Sequence, residues 1–218
     1  MTITKEQSNY IKLIAILTML VDHMGVILFP EVLWLRIIGR IAFPLFAYQL
    51  VVGYLNTGNI RRYIFRLLLL GSICQVMYYY ITKDLTLNIL FTLSVGLVCI
   101  NLIDKKKYIV LSLLLVITSV MSFYNMGVDY GVYGVLIIIL IYTYINNTNL
   151  LIASFIILTT VAVSTDMIQS DYQIYSIVAM IFLVKPMSLR FKIPGWFFYL
   201  FYPIHIAVLW GIKGIWFR

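Results

Sequence analysis

Residues Asn9 to Pro30 read NYIKLIAILTMLVDHMGVILFP, a run apolar enough to span a bilayer that still carries Lys12, Asp22 and His23. A charged or ionisable side chain inside hydrocarbon is costly unless it faces a partner or a wet cavity, so such groups mark a functional site by default. Lys12 and His23 stand eleven residues apart, close to three whole helical turns, so both leave one face about 16 Å apart along the axis. Asp22 sits roughly a quarter-turn aside. It is out of i,i+4 register with His23 and needs a cation from another helix, for which Arg36 and Arg40 are the candidates.

The rest of the chain has the same character. Of its 218 residues, 63% are hydrophobic and 11% charged, and the mean hydropathy is +1.01. Soluble domains carry about 45–50% apolar and about 25% charged residues, so this is the composition of an integral membrane protein. The net charge of +8 does not point to nucleic acid. The basic residues fall in short loops between apolar runs, where the positive-inside bias puts them. The first run is too long and too polar at its far end for a cleaved signal peptide and is expected to stay. Cys74 and Cys99 lie inside apolar runs without metal-ligand neighbours and read as small core residues.

Runs approaching the roughly 20 residues that a crossing needs fall at about 9–30, 32–55, 60–81, 86–103, 108–124, 130–146, 149–164, 170–187 and 194–215. The expected fold is therefore all-α: a polytopic membrane bundle of about nine transmembrane helices around a central pore or cavity, with residues 1–218 forming one domain. The stretch YNMGVDY at 124–130 is turn-rich enough to hide a broken helix. With nine crossings, Lys5, the Arg61, Arg62 and Arg66 cluster, Lys105 to Lys107, and Lys185, Arg190 and Lys192 share one side. Glu31, Lys83 with Asp84, Asp129, Asp166 and Asp171 share the other, with Lys213 and Arg218 as exceptions. This makes the protein a multi-pass cell-membrane protein with a cytoplasmic N-terminus.

The second run, VLWLRIIGRIAFPLFAYQLVVGYL, puts Arg36 and Arg40 four residues apart on one face, about 6 Å apart axially. Gly39 leaves room for close approach, and Pro44 frees a carbonyl and bends the helix. Snorkelling to the interface also explains Arg36; Arg40, a turn further in, is the stronger candidate for work. In IRRYIFRLLLL, Arg62 and Arg66 share a face and read either as a lipid anchor or as a cytoplasmic mouth for a phosphorylated ligand. Gln75 and Asn88 suit interhelical hydrogen bonding. In the last run, Tyr199, Tyr202 and His205 follow at i,i+3 steps around Pro203, and His205 is the second of 2 histidines. HExxH, Walker A, GxSxG and Gly-rich dinucleotide motifs are all absent, which weakens metal and hydrolase readings.

The elements IKLIAILTMLVDHMG, LRIIGRIAFPLFAYQLVVGY with a following T-x-N before a basic start, LNILFTLSVGL and FYLFYPIHI resemble the TraX family. Its founding members are described as acetylases of the conjugative pilin N-terminus. The resemblance covers both ends and the first half of the chain. The Lys12-x10-His23 spacing is also similar to the Arg/Lys-x10-His signature of a broader membrane acyltransferase group, whose helices surround a pore that acyl-CoA enters from the cytoplasm. The resemblance implies an acetyl-CoA-dependent transferase, with His23 at the catalytic position and Lys12 at the basic position below it.

Together these readings set the expected roles. Lys12, Arg36, Arg61, Arg62 and Arg66 would hold acetyl-CoA, while His23, Asp22, Arg40, Tyr202 and His205 would form the catalytic group. Neutral His23 would take a proton from an attacking amine or hydroxyl, and Arg40 or Tyr202 would stabilise the oxyanion. Asp22 would hold an arginine or the imidazole in register. The expected partners are acetyl-CoA, a peptide, glycan or small-molecule acceptor and membrane lipids, with no nucleic acid. A proton-coupled or small-solute transporter and an assembly protein whose polar groups only join helices are the rival readings, and periodicity alone leaves all three open.

Overall fold

The structure, a computed structural model, describes residues 4–83, 85–124, 126–168, 170–190 and 192–216. The expectations on Asp84, position 125, Arg218 and the Tyr199 side chain fall outside what it describes. Among the described residues the regular structure is helical, apart from an isolated bridge between Leu87 and Val128. The α-helices are α1 (Lys5–Ile27), α2 (Leu33–Gly39), α3 (Ala42–Leu55), α4 (Ile60–Thr82), α5 (Ile89–Asp104), α6 (Tyr108–Phe123), α7 (Gly131–Tyr144), α8 (Thr148–Ser164), α9 (Ala179–Val184) and α10 (Gly195–Trp216); a 3₁₀ helix, Asp171–Val178, precedes α9.

Each expected apolar run thus contains helix, with two corrections. The run 32–55 is interrupted between α2 and α3, at Arg40 and Ile41. The cause is Pro44: in a continuous helix its ring would collide with the carbonyl of Arg40, four residues back. As the third residue of α3 its missing N–H costs nothing. The run 170–187 is a 3₁₀ helix followed by six α-helical residues. At about 2.0 Å and 1.5 Å of rise per residue, that combination extends nearly as far as a longer α-helix would. Among the described residues, three segments are both long and apolar enough to cross a membrane: Lys5–Ile27, Leu33–Leu55 and Gly195–Ile215.

The chain divides into two compact units, one of residues 1–49 and 170–218, the other of residues 50–169. In the first, α1 opens on a capping box in which Thr4 Oγ1 accepts from the Gln7 amide at 3.2 Å and Gln7 Oε1 accepts from the Thr4 amide at 2.9 Å. Helix α1 packs on α2 and α10, and α2 on the 3₁₀ helix. Its buried positions Ile11, Ala15, Thr18 and Gly25 follow a seven-residue stripe, and Asp22 falls on the same stripe. Ser8 donates to Gln49 Oε1 at 3.0 Å, which ties the start of α1 to α3.

In the second unit α5 is the central helix, packing on α4, α6 and α7. A Cβ on Gly96 would overlap Ile138, so the glycine sets how closely α5 and α7 approach. Asn88 caps α5 through the Leu90 amide and donates to Gly71 O and Gln75 Oε1. This is the interhelical use expected of both amides. Residues 126–130 form a turn rather than part of a helix: the Leu87 amide donates to Gly127 O at 3.0 Å and the Asp129 amide to Leu87 O at 2.7 Å. Cys74 and Cys99 are buried free thiols. Helix α6 exposes Ile109, Leu113, Val116, Val120 and Phe123, while Ser112, Thr118, Ser119 and Ser122 return their hydroxyls to its own backbone. That pattern suits a helix bathed in lipid, where hydroxyls have no water to bond.

Candidate active site

Within the first unit, α1, α2 and α10 bring together six of the expected residues: His23, Asp22, Arg36, Arg40, Tyr202 and His205. Asp22 accepts from both arginines, Oδ2 lying 2.9 Å from Arg36 Nη1 and Oδ1 2.7 Å from Arg40 Nη2. The ion triad is largely withdrawn from the surface, with side-chain exposures of 16% for Asp22, 9% for Arg40 and 31% for Arg36. The pairing expected from the sequence is therefore made twice, and Arg36 does more than snorkel. Two glycines allow it. A Cβ on Gly39 would occupy the space of the Asp22 carboxylate, and one on Gly25 would come within 2.9 Å of Leu35 Cβ.

Beside the triad, His23 Nδ1 lies 2.6 Å from His205 Nε2, and His205 Nδ1 lies 2.6 Å from the Phe201 carbonyl. A carbonyl only accepts, so His205 Nδ1 carries the hydrogen. In the neutral ring His205 Nε2 is then the acceptor, and His23 Nδ1 donates to it. The one ring nitrogen left with an unshared pair is His23 Nε2. The rings are also fixed by packing: His205 stacks between Phe201 and His23, at centroid separations of 4.6 Å and 4.8 Å. Tyr202 meets both imidazoles edge-on at 5.9 Å and 6.0 Å.

The arrangement can take up a proton at His23 Nε2 without breaking a contact, since His23 Nδ1–H already donates to His205. The nearby carboxylate is committed to arginines, and two guanidiniums against one carboxylate leave the surroundings net positive. That favours developing negative charge on a reacting oxygen.

Of the remaining expected residues, Lys12 lies on α1, which runs unbroken to His23, so the eleven-residue spacing keeps the two on one face. Arg61, Arg62 and Arg66 belong to the second unit and are exposed on the first two turns of α4. Arg66 also lies over the Tyr63 ring, at 5.7 Å from its centroid. Phe201 was not foreseen. Its signal is its place four residues before His205, where its carbonyl and ring both meet the imidazole.

The sequence matches the TraX protein family over residues 7–213. It is 26% identical over 235 residues to the probable fimbrial assembly protein FimC, serogroup H1, of Dichelobacter nodosus, an alignment covering 93% of this chain and 94% of that protein. It is also 33% identical over 100 residues to an uncharacterised protein of Rickettsia prowazekii (strain Madrid E), covering 44% of this chain and 38% of that one. No solved structure matches. With nearly its whole length matched, this chain belongs to the TraX family.

Proposed function

We propose that this protein is a membrane-embedded acetyltransferase that moves the acetyl group of cytoplasmic acetyl-CoA to an amine or hydroxyl, with His23 as general base. The observation that carries the reading is the hydrogen-bond chain Phe201 carbonyl, His205, His23. It leaves His23 Nε2 as a directed base beside a positively charged triad. In the proposed reaction His23 Nε2 takes the proton of the acceptor as its nitrogen or oxygen forms a bond to the thioester carbonyl carbon. Arg40 or Tyr202 supports the oxyanion. On collapse the C–S bond breaks, the CoA sulfur leaves with the electron pair, and the imidazolium returns the proton to it as CoA-SH. Base catalysis of this kind contributes about 10²–10⁴ in rate.

Lys12 supplies positive charge for the donor on the His23 face of α1, and Arg61, Arg62 and Arg66 supply it separately on α4, while Arg36 stays with Asp22. The acceptor is a peptide, a glycan or a small molecule, and the fimbrial assembly name carried by the Dichelobacter relative favours a fimbrial subunit. The orientation belongs to the same proposal: nine crossings of the cell membrane around a central path, with the N-terminus in the cytoplasm, a reading that the loop charges support. Helices α5 to α8, at 14 to 17 residues, are shorter than the roughly 20 of a standard crossing, so they rely on flanking turns or local thinning of the bilayer.

The donor half of the proposal is tested by thermal unfolding of purified protein with acetyl-CoA, free CoA or ATP. A ligand bound only by the native state raises its apparent stability, by about 2.7 kcal/mol at a hundred times Kd. Acetyl-CoA and CoA are expected to raise the midpoint more than ATP does. A transporter driven by an ion gradient predicts no shift with any thioester, and that result would remove acetyl-CoA from the account.

A further inference from the structure

A second chemical feature lies in the second unit, at the turn joining α3 to α4. An open cavity of about 330 Å³ is lined by Tyr54, Leu55, Thr57, Gly58, Ile60 and Asp104, a volume at the lower end of the range for small-molecule sites. Asp104 is exposed, yet its carboxylate is tightly positioned. Tyr54 Oη donates to Oδ2 at 2.5 Å and Tyr142 Oη donates to Oδ1, with the two rings edge to face at 5.7 Å. Each carboxylate oxygen has two lone-pair directions, so both can accept a further donor from a ligand. Around this single acid, Arg61 and Arg62 follow directly on Ile60, and Lys105, Lys106 and Lys107 follow directly on Asp104.

The cavity therefore offers a fixed acceptor between tyrosine rings, with five basic residues directly following two of its lining positions in the sequence. A ligand that matches both has a planar base bearing an amine donor, together with phosphate groups. We propose that this cavity binds an adenine nucleotide, with the exocyclic amine of the base donating to Asp104, the ring against Tyr54 and the phosphates on Arg61, Arg62 and Lys105. The inference deepens the acetyl-CoA reading and rests on it for the ligand's identity as the 3′-phosphorylated ADP head of CoA. A free adenine nucleotide has the same chemistry.

The test measures binding of 3′,5′-ADP, ADP and acetyl-CoA to the full-length purified protein by calorimetry, alongside the inosine counterpart 3′,5′-IDP, which lacks the amine. The expected pattern has 3′,5′-ADP bound and displaced by acetyl-CoA, preferred over ADP, and preferred over 3′,5′-IDP by roughly tenfold, the scale of a hydrogen bond to a charged group. Asp104→Asn is expected to erase the adenine preference, and Arg61→Gln with Arg62→Gln to weaken both nucleotides at least tenfold. Tyr54→Phe, which leaves the carboxylate intact, is expected to reduce the preference only in part. Equal binding of ADP and 3′,5′-ADP, with the adenine preference kept, assigns the cavity to a free nucleotide.

No adenine binding, an adenine preference unchanged in Asp104→Asn, or binding of phosphatidylglycerol vesicles alone would overturn the proposal. Its failure is separable from that of the proposed function. His23→Ala should bind 3′,5′-ADP normally, so nucleotide binding without acetyl transfer condemns the transferase and spares the cavity. Unaltered transfer in Asp104→Asn does the reverse.

Discussion

At the scale of single residues, the site turns on which atoms are already committed. Asp22 is held by Arg36 and Arg40, so it is not His23's orienting carboxylate. That task falls to His205, whose own hydrogen goes to the Phe201 carbonyl. His205→Ala is accordingly expected to lower acetyl transfer by roughly 10² or more, the scale of a lost tautomer-setting contact, while the KM for acetyl-CoA stays put. His205→Gln, whose amide oxygen can accept from His23 Nδ1, should recover part of the rate; a merely structural role predicts no such rescue. Replacing Asp22 by Asn leaves two guanidiniums facing each other without their counter-charge. The expected cost is up to about 3 kcal/mol, below the value for a fully buried pair because Arg36 keeps partial access to its surroundings. Adding Arg36→Gln to Asp22→Asn should return part of that loss, which chemical unfolding of the single and double variants measures.

At the scale of elements, the closeness of α1 to α2 depends on glycine. Gly39→Ala inserts a methyl group where the Asp22 carboxylate lies. Overpacking of this kind costs about 1–3 kcal/mol, so a lowered unfolding midpoint with a matching loss of transfer is expected. Asn88→Ala removes the α5 cap and the bonds to Gly71 and Gln75, an expected loss of about 1–3 kcal/mol by the same measurement. Much of this was legible beforehand. The Asp22 partnership follows from a helix stripe, an i,i+4 arginine pair and a connection too short to place α2 anywhere but against α1. The break at Arg40 was half legible, since Pro44 announced a bend and the carbonyl it displaces lies four residues earlier. The 3₁₀ segment was not. Its sequence, DYQIYSIV, is more polar than the runs around it, but polarity alone does not distinguish rises of about 1.5 Å and 2.0 Å per residue.

At the scale of the whole molecule, long-range pairings were the least legible. His23 and His205 are 182 positions apart. The sequence marked both as rare intramembrane imidazoles without showing that they meet. The Asp104 carboxylate and its two tyrosines come from three separate helices, and no local spacing joins them. Charge, by contrast, is readable over any distance, and the loop bias makes a definite prediction about topology. In a chain with Cys74 and Cys99 replaced by alanine, Lys106→Cys should resist a membrane-impermeant maleimide in intact cells. Asp166→Cys should react, and labelling of both from one side would refute nine crossings with a cytoplasmic N-terminus.

The proposed chemistry itself rests on one nitrogen of one imidazole. It is measured most directly by following transfer of labelled acetyl from acetyl-CoA, with a peptide amine, a glycan hydroxyl and a small amine as acceptors, in wild-type protein and in His23→Ala purified in equal folded yield. The account predicts transfer to at least one acceptor by the wild type and a fall of about 10² or more in the variant. Equal rates in the two proteins would contradict it.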